Sequence, residues 1–235
     1  MRALLLAAGL GTRLRPLTET IPKCLAPIRG RPLLAYWLDA LLEGTTIDRV
    51  LINTHYLPQV VNDFVAQSPW RDRINIVHEP QLLGTGGTIL ANRSHFGEQP
   101  FFVAHADNLT DFSPQRLIDA HLCGGAELAM TLLAFETDIP QAAGILELDE
   151  RNRVIGFHEK VADPPGNLAN GAVYVMEPRV LNRISEFGGP HIDLSTQVIP
   201  TLIPGILAVQ HFGFFRDIGT PETLRLANET FPLRF

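Results

Sequence analysis

The sequence predicts an α/β fold: a three-layer α/β/α, Rossmann-like, mostly parallel sheet with a smaller antiparallel portion. Three observations predict it. In the first half, short apolar β-branched runs alternate with helix-length amphipathic segments at the spacing of βαβ units. The first run passes straight into glycines and then into cations, the arrangement of a phosphate-gripping loop at a strand end. After about Gly125 strand-like segments crowd together and the texture becomes α+β. At 235 residues the chain reads as one domain, 1–235, with halves of about 1–125 and 126–235.

Taken in order, the apolar run that starts at Ala3 is the first strand, and Gly9 and Gly11 break it. Residues 32–44 read as a helix, opened by Pro32 and closed by Gly44, with apolar residues recurring at three and four. Residues 49–54 (RVLINT) form a buried strand, and 57–66 place Val60, Val61, Phe64 and Val65 on one helical face. Strands follow at 74–78 and 101–105, and helices at 86–92 and 114–122. Beyond Gly125, strand-like segments cover 128–135, 144–148, 154–159 and 172–176, with 149–152 as a turn. Helices are expected near 178–185 and 193–202, strands at 206–212 and 214–217, and a closing helix from Pro221 to about Thr230. There is no repeat, no low-complexity linker and no hexapeptide β-helix pattern.

Composition narrows the class. The chain is 46% hydrophobic, enough for a substantial core. No apolar run approaches the roughly 20 residues of a membrane span. A net charge of −6 argues against nucleic-acid binding, so the positive charge that matters is local. Two cysteines, Cys24 and Cys123, are too few for a disulfide framework. With no targeting segment in view, they suggest a reduced, cytoplasmic protein. Cys24 reads as a small buried filler.

The glycine stretch carries the chemistry. Gly9 and Gly11 let backbone N–H groups approach an anion, and Arg13, Arg15 and Lys23 supply formal positive charge. A Rossmann loop would need a third glycine where Leu14 stands, and a P-loop would need Gly-Lys-Ser/Thr at its end. A signal peptide is ruled out by the short apolar core that runs into a charged loop. Gly9-Leu10-Gly11-Thr12-Arg13-Leu14-Arg15-Pro16-Leu17-Thr18, followed by Pro22-Lys23, resembles the signature of the sugar-1-phosphate nucleotidyltransferases. Most members begin it with two glycines; Ala8 stands in the first position here.

The resemblance extends to about Asn228. It implies that a sugar-1-phosphate oxygen attacks the α-phosphate of a nucleoside triphosphate and pyrophosphate leaves. The nucleophile is already an anion, so such a reaction needs positioning and charge neutralisation more than a protein base. Arg13 then lies over the phosphates and Lys23 on the α-phosphate side. Ala8, Gly9, Gly11 and Thr12 complete the nucleotide loop. Phe101-Phe102-Val103-Ala104-His105-Ala106-Asp107 is a strand ending in an acid. Phe214-Phe215-Arg216-Asp217-Ile218-Gly219-Thr220-Pro221 resembles the family's motif before its last helix. Asp107 and Asp217 are thereby the expected Mg²⁺ ligands, with Thr220 as helix N-cap and Pro221 at the first helical position.

Glu79-Pro80-Gln81-Leu82-Leu83-Gly84-Thr85-Gly86-Gly87 resembles the base-recognition stretch, with Glu79, Gly84 and Thr85 as contacts. Phe157-His158-Glu159-Lys160 and Ala169-Asn170-Gly171-Ala172-Val173-Tyr174 resemble the sugar motifs, and Gly144 joins them. Glu159 and Asn170 are expected on the sugar and Lys160 on its phosphate, although Val161 replaces the family's proline. His55, His105 and His158 lack metal spacing and read as supporting residues. Residues 1–125 thus become the nucleotide half and 126–235 the sugar half. Similarity is greatest to short single-domain mannose- and heptose-1-phosphate guanylyltransferases, which implies GTP. Glu79 favours guanine, because an acceptor-only carboxylate matches the adjacent N1–H and 2-amino donors. UTP- or dTTP-dependent enzymes, such as muramic-acid-1-phosphate uridylyltransferases, and a silent sugar-nucleotide-sensing paralogue are the alternatives. A homo-oligomer is left open.

Overall fold

The computed structural model describes residues 1–232 and has the expected mixed α/β architecture. Its principal elements are β1 (Arg2–Leu6), α1 (Leu33–Leu42), β2 (Arg49–Thr54), α2 (Pro58–Gln67), β3 (Ile74–His78), α3 (Gly84–Ala91), β4 (Phe101–His105), β5 (Asn108–Thr110) and α4 (Pro114–Cys123). They continue with β6 (Met130–Glu136), β7 (Gly144–Leu148), β8 (Val154–Glu159), β9 (Leu168–Met176), α5 (Arg179–Ser185), α6 (Ile199–Leu202), β10 (Ile206–His211), β11 (Phe215–Asp217) and α7 (Pro221–Thr230). Two compact units interleave along the chain. One holds Arg2–Leu82, Ala104–Pro114 and the chain from Gly213 onward; the other holds Leu83–Val103 and Gln115–Phe212. Among the described residues no helix is long and apolar enough to cross a membrane.

In the first unit β1, β2 and β3 run parallel in that order, with Leu6 beside Asn53 and Asn53 beside Val77. Ala3, Leu4, Leu5, Val50 and Ile52 are fully buried, as expected of parallel strands covered on both faces. Helix α1 buries Leu34, Trp37, Leu38 and Leu41, the spacing of one helical face. Trp37 Nε1 donates to the Asn108 carbonyl at 2.7 Å. That bond fixes β5, a three-residue strand too short to leave a sequence pattern. β5 pairs antiparallel with β11, Asn108 opposite Asp217. Leu14, Ile28, Leu33, Leu109, Ile218 and Phe231 share one buried core. The glycine loop, the β5–β11 pair and Phe231 after α7 are therefore anchored together. Thr220 caps α7 as expected: its hydroxyl accepts from the Thr223 N–H at 3.2 Å, and Thr223 Oγ1 accepts from the Thr220 N–H at 3.0 Å.

The second unit is mainly antiparallel. β6 lies between β9, which is antiparallel to it, and β10, which is parallel. β7 and β8 form a hairpin whose turn is the expected 149–152. Asp149 Oδ1 accepts from the N–H groups of Arg151 and Arg153, both at 2.8 Å. The strand expected over 172–176 begins earlier, at Leu168, because a bulge between Asn170 and Tyr174 hides its first half from the alternation. The helix expected over 193–202 is divided into a π turn, Leu194–Val198, followed by α6. Pro200, near the start of α6, has no N–H to continue the ladder.

Candidate active site

The glycine loop starts where β1 ends. The Ala7 N–H donates to Asn53 Oδ1 at 2.7 Å, and Ala8 is buried. Gly11 is left-handed, with φ 63°. Its carbonyl accepts from the Leu14 N–H at 2.9 Å and from Thr18 Oγ1 at 2.7 Å. A Cβ on Gly11 would lie 2.9 Å from Thr18 Cγ2, so both space and φ call for glycine. Thr12 and Arg13 follow in a 3₁₀ turn. The Arg13 side chain is largely exposed, with Nη2 3.9 Å from Asp217 Oδ2.

The acids converge through the backbone. The Ala106 N–H donates to the Leu6 carbonyl at 3.0 Å, which places Asp107 at the carboxyl ends of the parallel strands. The pairing of Asn108 with Asp217, and the Ile218 N–H bond to the Asp107 carbonyl at 3.0 Å, bring Asp217 beside it. Lys23 Nζ then donates to Asp107 Oδ2 at 2.6 Å and to Asp217 Oδ1 at 2.9 Å. Those two bonds laid end to end limit the separation of the oxygens to 5.5 Å. Burial would lower the Lys23 pKa, but the Asp107 and Asp217 carboxylates outweigh it and raise the ammonium above its ordinary value. Burial would raise Asp107, but the Lys23 charge, then that of His105, holds the carboxyl below its ordinary range.

Two carboxylate oxygens that already share one cation are a hard, anionic donor set suited to Mg²⁺, with the remaining positions left to phosphate and water. No cluster of three or more His, Cys, Asp or Glu that could hold a metal converges among the described residues. Next to Lys23, Cys24 is buried, and burial followed by the Asp107 charge pushes its thiol up to about 12.

Glu79 directly follows β3 and is only 4% exposed, so it is no surface residue. Its Oε1 accepts from Asn53 Nδ2 at 3.0 Å, its N–H donates to the Thr54 carbonyl at 2.8 Å, and its carbonyl lies 2.7 Å from His55 Nδ1. The supporting role expected of His55 has this geometry.

In the second unit, Gly84 has φ +74°, and a Cβ there would meet the Ile192 carbonyl oxygen at 2.5 Å. That carbonyl accepts from the Gly86 and Gly87 N–H groups at 2.8 and 3.1 Å. Thr85 Oγ1 accepts from the Leu194 N–H at 2.7 Å. The stretch expected to meet a base is thus clamped to residues 192–194. At the other cluster, Gly144 leaves room for Glu159 and Phe157: a Cβ would lie 2.5 Å from Glu159 Oε2 and 2.6 Å from the Phe157 ring. Lys160 Nζ is 3.1 Å from Glu159 Oε1, with the lysine exposed and in the left-handed region at φ 51°. Asn170 Oδ1 accepts from the Ala172 N–H at 3.0 Å, and Nδ2 donates to the buried Tyr174 hydroxyl at 2.8 Å. Burial raises the Tyr174 pKa, so the phenol stays protonated.

Arg13, Lys23, Asp107 and Asp217 are therefore one cluster, and Gly144, Glu159 and Lys160 another, with Asn170 held by Tyr174. Asn53 and Ile192 carry no role in the sequence motifs, whereas Tyr174 belongs to the sugar motif at 169–174. For Asn53 the only signal was an amide inside the apolar run RVLINT.

A family model described as "Nucleotidyl transferase" matches residues 2–232. The chain is 33% identical over 225 residues to a mannose-1-phosphate guanylyltransferase of Mycobacterium tuberculosis, a match that takes in 94% of this chain and 61% of that relative's length. A solved putative glucose-1-phosphate thymidylyltransferase from Bacillus anthracis, in complex with a sucrose, superposes with a TM-score of 0.88 at 19% identity over 100% of this chain and 97% of that one. HddC from Yersinia pseudotuberculosis complexed with GMP-PN gives 0.80 at 23% identity, over 98% and 99%. At these identities the structures speak for the fold.

Proposed function

This chain belongs to the nucleotidyl transferase family, and we propose that it transfers a nucleotidyl group from a nucleoside triphosphate to a sugar 1-phosphate, releasing pyrophosphate. The observation that carries the reading is the Lys23 ammonium held between Asp107 and Asp217, with Arg13 at the rim and the glycine turn in the same unit. This cluster supplies cations for a triphosphate and two oxygen ligands for a divalent ion at parallel-strand ends. The proposed reaction needs no covalent intermediate on the protein, because the sugar phosphate is already an anion.

In this reading the backbone from Ala8 to Thr12 cradles the phosphates, and Arg13 and Lys23 neutralise charge on the transferring group. Asp107 and Asp217 would hold Mg²⁺, and a bound divalent ion would supply charge neutralisation at the phosphates. Glu79, Gly84 and Thr85 serve the base, with Glu79 fixed as an acceptor. Glu159 and Asn170 serve the sugar, and Lys160 its phosphate. GTP with mannose or heptose 1-phosphate is the proposed pair, supported by the guanylyltransferase relative. The proposed compartment is the cytoplasm. Pyrophosphate release over a matrix of four nucleoside triphosphates and several sugar 1-phosphates tests this. GTP with mannose or heptose 1-phosphate should give the highest kcat/KM. Release with no pair would refute the activity, and a clear lead for UTP or dTTP would refute the base.

A further inference from the structure

We propose that Asn53 is a positioning residue that sets base selectivity by tying the phosphate loop to Glu79; this rests on the reading above. Asn53 lies on β2, the middle strand of the three, opposite Leu6 on one side and Val77 on the other. Ala7 and Glu79, each just beyond its own strand, flank it at the carboxyl ends. Its amide reaches both: Oδ1 accepts from the Ala7 N–H at 2.7 Å, and Nδ2 donates to Glu79 Oε1 at 3.0 Å.

The partners dictate the orientation of the amide. A backbone N–H requires the oxygen, and a carboxylate oxygen requires the nitrogen, so the side chain has one way round. Asn53 is 2% exposed and Glu79 4%. A buried amide and a buried carboxyl group are tolerated when they are hydrogen-bonded, and each satisfies the other here. The first peptide of the phosphate loop and the base-reading acid therefore hang on one planar amide, on atoms two bonds apart. A shift of either end is transmitted to the other, which couples phosphate position to base reading.

Three replacements show what the amide supplies. Aspartate keeps the acceptor for Ala7 but sets one carboxylate against another. Leucine has the shape and neither bond. Serine reaches only one partner. The pair also accounts for a buried amide next to Val50, Leu51 and Ile52 in β2.

The experiment is a cycle of Asn53→Asp, Glu79→Gln and the double variant. Each is measured by calorimetric titration with GTP and with UTP in the absence of sugar phosphate, and by steady-state kinetics. Asn53→Asp should weaken GTP binding by about tenfold or more, the scale of a lost charge-assisted bond together with a like-charge contact. KM for the sugar 1-phosphate should stay within about twofold. Adding Glu79→Gln should restore much of the nucleotide affinity, because a glutamine amide can donate to the new carboxylate, while the lead of GTP over UTP shrinks. Equal changes in both substrates, or no rescue in the double variant, would reduce Asn53 to a packing residue. If Asn53→Asp does not fold by circular dichroism, Asn53→Ser takes its place. It should lose GTP affinity by several-fold with the sugar KM unmoved, and an unchanged GTP affinity would overturn the proposal. Inactivity of the unmodified protein with every substrate pair would instead overturn the reading on which this one rests.

Discussion

Lys23 and Lys160, the two lysines assigned to phosphates in the proposed reaction, are prepared in opposite ways. The Lys23 side chain is 11% exposed and bonded to two carboxylates on two different motifs. The Lys160 side chain is 64% exposed, meets the neighbouring Glu159 carboxylate at 3.1 Å, and sits on a backbone in the left-handed region. One cation is built into the first unit; the other stands at the end of a hairpin strand in the second. The difference teaches where rigidity is needed. Charge must be placed accurately at the phosphorus that changes partners, whereas in the proposed reaction a sugar phosphate can be gathered by an exposed lysine stem whose turn fixes its direction.

The harshest way to break the comparison is to remove the acids that hold Lys23. Asp107→Ala and Asp217→Ala should each lower kcat by at least about a hundredfold, since each removes a proposed metal ligand together with an anchor of the ammonium. The circular dichroism spectrum should be unchanged. Retention of turnover within about threefold would dissociate the acids from the chemistry. The sugar side should respond differently. Lys160→Ala should raise KM for the sugar 1-phosphate about tenfold and leave KM for the nucleotide nearly constant. Gly144→Ala, which would press on Glu159 and Phe157, should do the same. Parallel rises in both KM values would mean that Lys160 acts only as general positive charge.

A gentler test concerns the base. Glu79→Gln should narrow the lead of GTP over UTP by several-fold in kcat/KM, because an amide presents a donor where guanine also presents one. A lead that survives unchanged would move base reading to backbone groups near Gly84.

The smallest effect is on stability and acid. Buried His121, with Nδ1 2.9 Å from Thr131 Oγ1 and Nε2 3.3 Å from Glu177 Oε1, is held below its ordinary pKa by burial, against the opposing pull of Glu177. A histidine depressed in the fold binds its proton more readily when unfolded, so stability falls as pH drops below 6.5. Asp107 is depressed too, and for a carboxyl the stabilisation is present above 3.8 and lost below it. Acid should therefore strike the second unit first. The melting temperature should drop by a few degrees between pH 7.5 and 5.5 in the unmodified protein and by less in His121→Gln. Identical slopes in the two proteins would remove His121 from the account.

The alternating strands and helices of the first half were legible because parallel strands buried on both faces leave long apolar runs, as in RVLINT. The proximity of Asp107 and Asp217 was legible only through the resemblance of two motifs to one family, a strand ending in an acid at 101–107 and Asp217-Ile218-Gly219-Thr220-Pro221 before the last helix. What escaped was made by partners far apart in sequence. β5 is three residues held by Trp37 and β11, and the Asn53 bonds to Ala7 and Glu79 depend on which strands are neighbours. The bulge at Asn170 breaks the period-two pattern, so β9 looked five residues long. Glu79 showed the limit of residue type: a charged side chain before a proline gave no hint that it would turn inward onto an amide.

The two cysteines have a practical consequence. Cys24 is buried with its thiol pushed up to about 12, whereas Cys123 is exposed at the end of α4. A maleimide fluorophore added near neutral pH attacks a thiolate, which Cys24 almost never offers. The natural sequence therefore provides a single handle, on a helix end outside the cluster of Lys23, Asp107 and Asp217. Dye or spin label at Cys123 should leave turnover intact and give a reporter without any engineered cysteine.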